Sequence, residues 1–396
     1  MTPAARTQAA IDLVDAILDA ARSGGAAGDQ VAKRFFAARR YAGSKDRRAI
    51  RTLAYDAVRR FGEPPETARA AIVAMADHDA ALADTFNGAP YGPPPIASDE
   101  PRAAEAIAPA WLLKAFAESG LDEAEAAALL DRAPLDIRVN RLRTTRDAVL
   151  AEIGGTPAPD LPDAIRLAPD TAIDGSDVLH DGRGEVQDIG SQIVSLAACA
   201  EPGGFAIDLC AGGGGKTLAI AAQMAGEGRI LATDTDRPRL SRLLPRAMRA
   251  GVTIAEPRLI DPGKEAAMLA DVAGQADWVM VDAPCSGTGT WRRNPEARWR
   301  LTPERLARVV QTQARLLDVA ADLAGPEGTV IYVVCSLLDA EGAGQVSAFL
   351  DRRRDWHALP LALPRGRVHG PGMRLTPAHD STDGFFVARL GQRQAA

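Results

Sequence analysis

Histidine and cysteine are both scarce, with five histidines and four cysteines in 396 residues. No Cys-x2-Cys pair occurs and no histidines stand at ligand spacing, so a zinc site, or any comparable metal centre, is not expected. The cysteines also lack framework spacing, which excludes a disulfide scaffold and suits a reducing compartment, with the cytoplasm as the expected location. No apolar run approaches the ~18 residues of a membrane span. The N-terminus lacks the basic-then-apolar pattern of a secretory signal. Aromatic residues reach only 5% against 46% hydrophobic overall, so the chain must build two or three cores mainly from aliphatic side chains.

A net basic charge is missing too, since the formal charge is -6. That sum conceals an uneven distribution. Residues 33–60 carry ten Lys or Arg against Asp46 and Asp56, whereas residues 61–134 carry thirteen acids against four bases. A local balance of +8 can hold phosphates without reading sequence, although a solvated helix face would look the same.

Two of the four cysteines stand where chemistry is expected. Asp277-Trp-Val-Met-Val-Asp282 and Thr329-Val-Ile-Tyr-Val-Val334 are short, apolar and β-branched, as in central strands of a parallel sheet covered on both faces. Asp282-Ala-Pro-Cys285-Ser-Gly-Thr-Gly follows the first, and Cys335-Ser336 follows the second. Both thiols therefore emerge at strand C-terminal ends, the edge at which open α/β sheets bind ligands. Cys199 and Cys210 carry no such signal and read as small buried hydrophobes.

Upstream, the strand-like run Phe205-Ala-Ile-Asp208 leads into Ala211, Gly212, Gly213, Gly214, Gly215, Lys216 and Thr217, then a helical pattern. Strand, glycine turn and helix let a nucleotide-type ligand approach amides at a helix N-terminus. A phosphate-binding P-loop would need glycine at position 210, which is Cys210. Roughly twenty residues on, Arg229-Ile-Leu-Ala-Thr-Asp234 reads as a second strand ending in an acid suited to ribose hydroxyls. That spacing fits NAD and S-adenosylmethionine equally. Hydride transfer has no use for two cysteines at successive strand ends, whereas methylation of an unreactive ring carbon needs a nucleophile.

The ordered set Asp208-Leu-Cys-Ala-Gly-Gly-Gly-Gly-Lys-Thr217, Asp282-Ala-Pro-Cys-Ser-Gly-Thr-Gly289, Arg292-Arg-Asn-Pro-Glu-Ala-Arg-Trp299 and Val334-Cys-Ser336 resembles the Nop/Sun/RsmB family of RNA cytosine carbon-5 methyltransferases. Pro134-Leu-Asp-Ile-Arg-Val-Asn140 and Val186-Gln-Asp-Ile-Gly-Ser-Gln192 look like further family blocks, so the resemblance runs from about residue 134 onward. The family usually carries proline where Gly213 stands and threonine where Val334 stands; neither departure removes a reacting group.

The resemblance implies roles. Cys335 is the attacking thiol, and Cys285 resolves the covalent adduct after methylation. Asp282 contacts the cytosine ring edge, and Lys216 lies on the substrate side of the cofactor loop. The cofactor is S-adenosylmethionine: Ala211, Gly212, Gly213, Gly214 and Gly215 cradle its methionine moiety, with Lys216 and Asp282 alongside. Asp234 holds the ribose, Arg239 assists from the next helix, and Asp261 approaches the adenine. Because a free thiol has a pKa near ~8.5, a positive or helix-terminal environment is expected around Cys335. Arg292, Arg293, Arg298 and Arg300 are expected to line a substrate path, while Gln187 and Asp188 are either RNA contacts or polar loop residues.

Periodicity supplies the organisation. Ile11, Val14, Ile17 and Leu18, and likewise Ile50, Leu53, Ala54, Ala57 and Val58, recur at helical spacing. Residues 1–133 are expected to form a helical region with a linker near 88–104, similar to the NusB-like domain of bacterial ribosomal small-subunit members. Residues 134–183 suggest a small α+β module of ferredoxin or RRM type, and residues 184–396 a Rossmann-like, doubly wound α/β methyltransferase domain. The expected protein is a monomer acting on RNA, with ribosomal RNA favoured over transfer RNA. The rival readings are a methyltransferase of the same fold acting on DNA or a small molecule, and a non-catalytic RNA-binding assembly factor.

Overall fold

Apolar runs without polar alternation require cover on both faces, and the computed structural model meets that requirement with helices on either side of a mixed sheet. It describes residues 1–169 and 171–393; residue 170, in the expected small module, and residues 394–396, at the end of the expected methyltransferase domain, lie outside them. The chain divides into two units, one of residues 1–131 with 290–302, the other of residues 132–289 with 303–396.

The larger unit carries the main sheet. Its parallel strands run in the order Ala255–Leu259, Arg229–Asp234, Phe205–Asp208, Ala276–Asp282, Ala324–Val334. Phe385–Gln392, Gly372–Leu375 and Arg367–His369 extend it antiparallel, and Trp356–Leu359 also pairs with Phe385–Gln392. Successive residues point to opposite faces. Ile207, Val279, Val281, Val330 and Tyr332 pack with Leu316, Leu317 and Phe349. Ala206, Met280, Ile331 and Val333 pack with Ile193, Leu218 and Ile220. The strand order reverses beside Phe205–Asp208, so the ligand-binding crevice of such a sheet falls at the C-terminal ends of Phe205–Asp208 and Ala276–Asp282.

The same unit contains a four-stranded antiparallel sheet ordered Thr156–Pro157, Ala164–Leu167, Leu135–Val139, Gly184–Val186. Helices Arg146–Ile153 and Asp177–His180 complete a βαββαβ chain order, the ferredoxin-like arrangement. This sheet ends at Val186 and not at 183, because Ile137 pairs with Val186 and Val139 with Gly184.

The smaller unit is helical. Pro3–Arg22, Gly28–Ala38, Ser44–Arg60 and Ala68–Ala76 bury Leu13, Val14, Ile17, Leu18, Phe36, Ile50, Val58 and Ile72 together. Thr2 and Thr67 cap the first and last of these helices, their hydroxyls accepting from Ala5 N and Ala70 N. Residues 290–302 belong here as well. Glu296 accepts from Gly28 N at 2.7 Å, placing an anion at one helix N-terminus. The fully buried Arg298 donates to the carbonyls of Val58, Arg59 and Phe61 at the C-terminal end of Ser44–Arg60, and Trp299 Nε1 donates to Phe61 O. Arg300 donates to Gly25 O and Ala26 O. Arg298 and Arg300 thus close helix ends and a turn, a correction to the substrate-path expectation. Helix termini leave carbonyls without intrahelical partners, and here Nη2 of Arg298 serves three at once while its Nε and Nη1 have no hydrogen-bond partner among the described residues.

Candidate active site

The turn after Phe205–Asp208 sets the first wall of the site. Gly212 and Gly214 adopt left-handed φ values of +56° and +87°. A Cβ on Gly214 would meet Leu243 Cδ1 at 2.2 Å, so glycine is required there on both counts. Gly213 is outside the left-handed region, and an added Cβ would lie 3.2 Å from Arg246 Nη1, so that position does not demand glycine. Gly214 caps helix Gly215–Gln223, whose first-turn amides have no carbonyl partner within the helix and can meet a ligand carboxylate.

Asp234 ends the next strand, and its carboxylate accepts from Gly212 N and from Asp236 N, both at 2.7 Å. Each carboxylate oxygen retains acceptor capacity for a hydroxyl. Arg239 stands at the glycine turn, its Nη2 lying 3.3 Å from where a Cβ on Gly212 would be. A glycine turn, free amides, an acid and an arginine suit the polar ends of a nucleoside bearing an amino acid. Asp261 is not drawn into this cluster. It is exposed and paired with Lys264 at 3.3 Å, although the preceding Ile260 N donates to Asp234 O.

At the reversal point Lys216 Nζ donates to Asp282 Oδ2 at 2.7 Å. Burial by itself would lower the Lys216 pKa, but Asp282, with help from Cys335 and Asp208, raises it, so the lysine stays charged. Beneath lies Asp208, fully buried, accepting from Thr217 Oγ1 at 2.6 Å. Burial pushes its carboxyl up to about 7.

The two strand-end thiols meet, with Cys285 Sγ 3.3 Å from Cys335 Sγ. The contact with Cys335, together with burial, holds the Cys285 thiol well above its ordinary range. Cys335 is among the groups that act electrostatically on Lys216, so the lysine and this thiol share one environment. Cys210 packs against the core and burial raises its pKa, in line with a small hydrophobe. Cys199 is exposed, in a left-handed turn at φ 48°, and corrects the expectation that it is buried. Gln187 and Asp188 are engaged internally: Gln187 Oε1 accepts from Arg138 Nε at 2.6 Å, and Asp188 caps helix Ile189–Leu196.

Reading along the chain missed a set of buried polar residues. Both thiol residues are followed by serine, and the hydroxyls of Ser286 and Ser336 both reach the buried carboxylate of Glu341. The repeated Cys-Ser dipeptide was the available signal; the glutamate, six residues past Cys335, had none. Among the described residues no group of three or more His, Cys, Asp or Glu is placed to hold a metal ion, and no helix is long and apolar enough to cross a membrane.

Residues 196–391 match the family model for the 16S rRNA methyltransferase RsmB/F. A probable ribosomal RNA small subunit methyltransferase B from Synechocystis is 37% identical over 300 residues, covering 71% of this chain and 66% of that protein. Ribosomal RNA small subunit methyltransferase B from Salmonella arizonae is 35% identical over 264 residues, covering 65% of this chain and 60% of that protein. The match thus spans somewhat less than two thirds of these relatives' own length. The structure of NSun6 from Pyrococcus horikoshii superposes with a TM-score of 0.64 at 18% identity, covering 72% of this chain and 99% of that one, a likeness of fold.

Proposed function

Since the chain belongs, through residues 196–391, to the RsmB/F family of methyltransferases, we propose that it transfers a methyl group from S-adenosylmethionine to carbon 5 of a cytosine in RNA. Ribosomal RNA is the favoured substrate and transfer RNA the alternative. The observation that carries this reading is the pair of thiols 3.3 Å apart at the ends of adjacent parallel strands, beside the Lys216–Asp282 pair.

Carbon 5 of cytosine is a poor nucleophile until a group adds to carbon 6. Cys335 Sγ, as thiolate, forms a bond to carbon 6, and the electron pair moves towards carbon 5. Asp282 meets the ring edge and favours its protonated form as the adduct builds, while Lys216 holds that carboxylate in place. When bound, the cofactor supplies an electrophilic methyl group. Carbon 5 then gives up its proton to water, the electron pair of that bond restores the 5,6 double bond, and the carbon–sulfur bond breaks to release Cys335 as thiolate, the step that Cys285 serves.

Ala211 to Gly215 and Asp234 are the cofactor's partners in this reading, with Arg239 beside them. Asp261 would need its exposed side chain to leave Lys264 to reach an adenine. RNA phosphates are assigned to the helical unit, where Lys33, Arg34, Arg40, Lys45, Arg48 and Arg51 are exposed, as salt-sensitive contacts. The protein would act as a cytoplasmic monomer, in surroundings that keep both thiols reduced.

The test is incubation with labelled cofactor and total RNA from a strain lacking the protein, followed by mapping of the modified base. Label at carbon 5 of one ribosomal cytosine is expected. Label at any other atom would reject the reaction, and label confined to transfer RNA would replace the substrate.

A further inference from the structure

Glu341 is fully buried in the loop beyond Cys335, and the proposed chemistry makes no use of it. Its carboxylate gathers four donors from three segments. Oε1 accepts from Ser286 N at 2.7 Å and Gln313 Nε2 at 3.0 Å; Oε2 accepts from the hydroxyls of Ser286 and Ser336. Gln313, on helix Pro303–Leu323, also donates to Pro284 O at 2.9 Å, on the other side of Cys285. Two more bonds close the same seam, Leu337 N to Thr288 Oγ1 and Gly289 N to Cys335 O, each at 3.0 Å. Glu341 is itself anchored, since Tyr332 OH donates to its carbonyl at 2.7 Å.

A carboxylate out of water is costly unless its oxygens are well supplied with donors. Here three of the four donors come from residues directly after a thiol, and the fourth from a glutamine that also holds the residue before Cys285. Sliding either loop would strip a donor from a buried charge. The sulfurs cannot enforce their own spacing, because a thiol is a weak donor and a weak acceptor.

We propose that Glu341 is a positioning residue that keeps Cys285 and Cys335 in register by clamping the Cys-Ser steps of both loops to one carboxylate. The inference deepens the functional reading, and rests on it for the claim that the two thiols act on one ring. Misplacement of a reacting group by about 1 Å can cost on the order of 10²-fold in rate.

The test uses the full-length protein and a trivalent phenylarsenical. Two thiols displace the arsenical's oxygen: two sulfur–arsenic bonds form and water leaves with both thiol protons. Capture therefore reports the spacing of the sulfurs without any methyl transfer. Wild type should bind the probe, with Cys285→Ser as the blank. Glu341→Ala should bind it at least about tenfold more weakly, as an effective concentration is lost, and Glu341→Gln should fall between. In the transfer assay Glu341→Ala should lower kcat at unchanged KM for RNA and prolong the covalent adduct. If Glu341→Ala does not fold, the double variant Ser286→Ala/Ser336→Ala removes two of the four donors and should weaken capture likewise. Undiminished capture and unchanged kcat in either folded variant would overturn the clamp. A wild type that transfers no methyl group, yet shows the expected differences in capture, would overturn the functional reading and leave the clamp standing.

Discussion

Arg298 and Lys216 are buried cations, one in each unit, and they are held in different ways. Arg298 is held by three backbone carbonyls at a helix end, and burial draws its pKa down to about 9. Lys216 is held by a carboxylate that outweighs burial and raises its pKa. The first arrangement satisfies carbonyls that a helix leaves unpaired and offers nothing to a ligand. The second holds Asp282, whose side chain is 32% exposed, in place at the C-terminal edge of the sheet. A buried charge is therefore a sign of function only when its partner can still reach something outside the protein.

The contrast between a chemical unit and a structural insert can be broken most sharply at the sulfur. Cys335→Ser should reduce methyl transfer to background while leaving the urea unfolding midpoint close to wild type; transfer by this variant would move the nucleophile elsewhere. Cys285→Ser should trap a covalent RNA–protein adduct, visible as a gel shift that survives denaturant, and adduct accumulation in the Cys335 variant instead would exchange the two roles. Lys216→Met should lower kcat by on the order of 10²-fold with modest loss of stability, because Asp282 is accessible enough to water to tolerate losing its partner. On the other side, Arg298→Ala should cost about 3 kcal/mol in the helical unit and leave affinity for the cofactor unchanged, measured by urea unfolding and calorimetry. Equal damage to cofactor affinity would erase the distinction between the two cations.

The smallest effect expected is on the pH profile of stability. Burial raises the Asp208 carboxyl from 3.8 to about 7 in the folded chain, so between these values the folded state keeps a proton that the unfolded state has lost. The contribution of Asp208 is then fully present below pH 3.8 and disappears as the pH rises through about 7. Asp208→Asn should flatten that part of the curve, seen as a smaller difference in unfolding midpoint between pH 5 and pH 8. An unchanged slope would place the charge of Asp208 in contact with water.

Much of the architecture was legible because periodicity is local. The helical spacing of Ile11, Val14, Ile17 and Leu18 and the unbroken apolar run before Asp282 each admit one kind of buried element. The boundary at Val186 was not legible, since three residues of edge strand carry no period. That the block Arg292–Trp299 belongs with the helical unit was equally hidden, because Arg298 reads the same whether it faces an RNA path or a helix end.

Residue order by itself determined that two thiols, a lysine in a glycine turn and two acids would arrive at one sheet edge. Parallel strands all end at that edge, and each of these residues closes or follows a strand. What tertiary structure alone decided was which polar groups share a partner. That Glu341 joins the residues after Cys285 and Cys335, and that Arg298 belongs to the carbonyls of Val58, Arg59 and Phe61, follows from contacts across up to 240 residues of chain. Such contacts are set by packing and by the need of buried polar atoms for partners, and no local pattern encodes them.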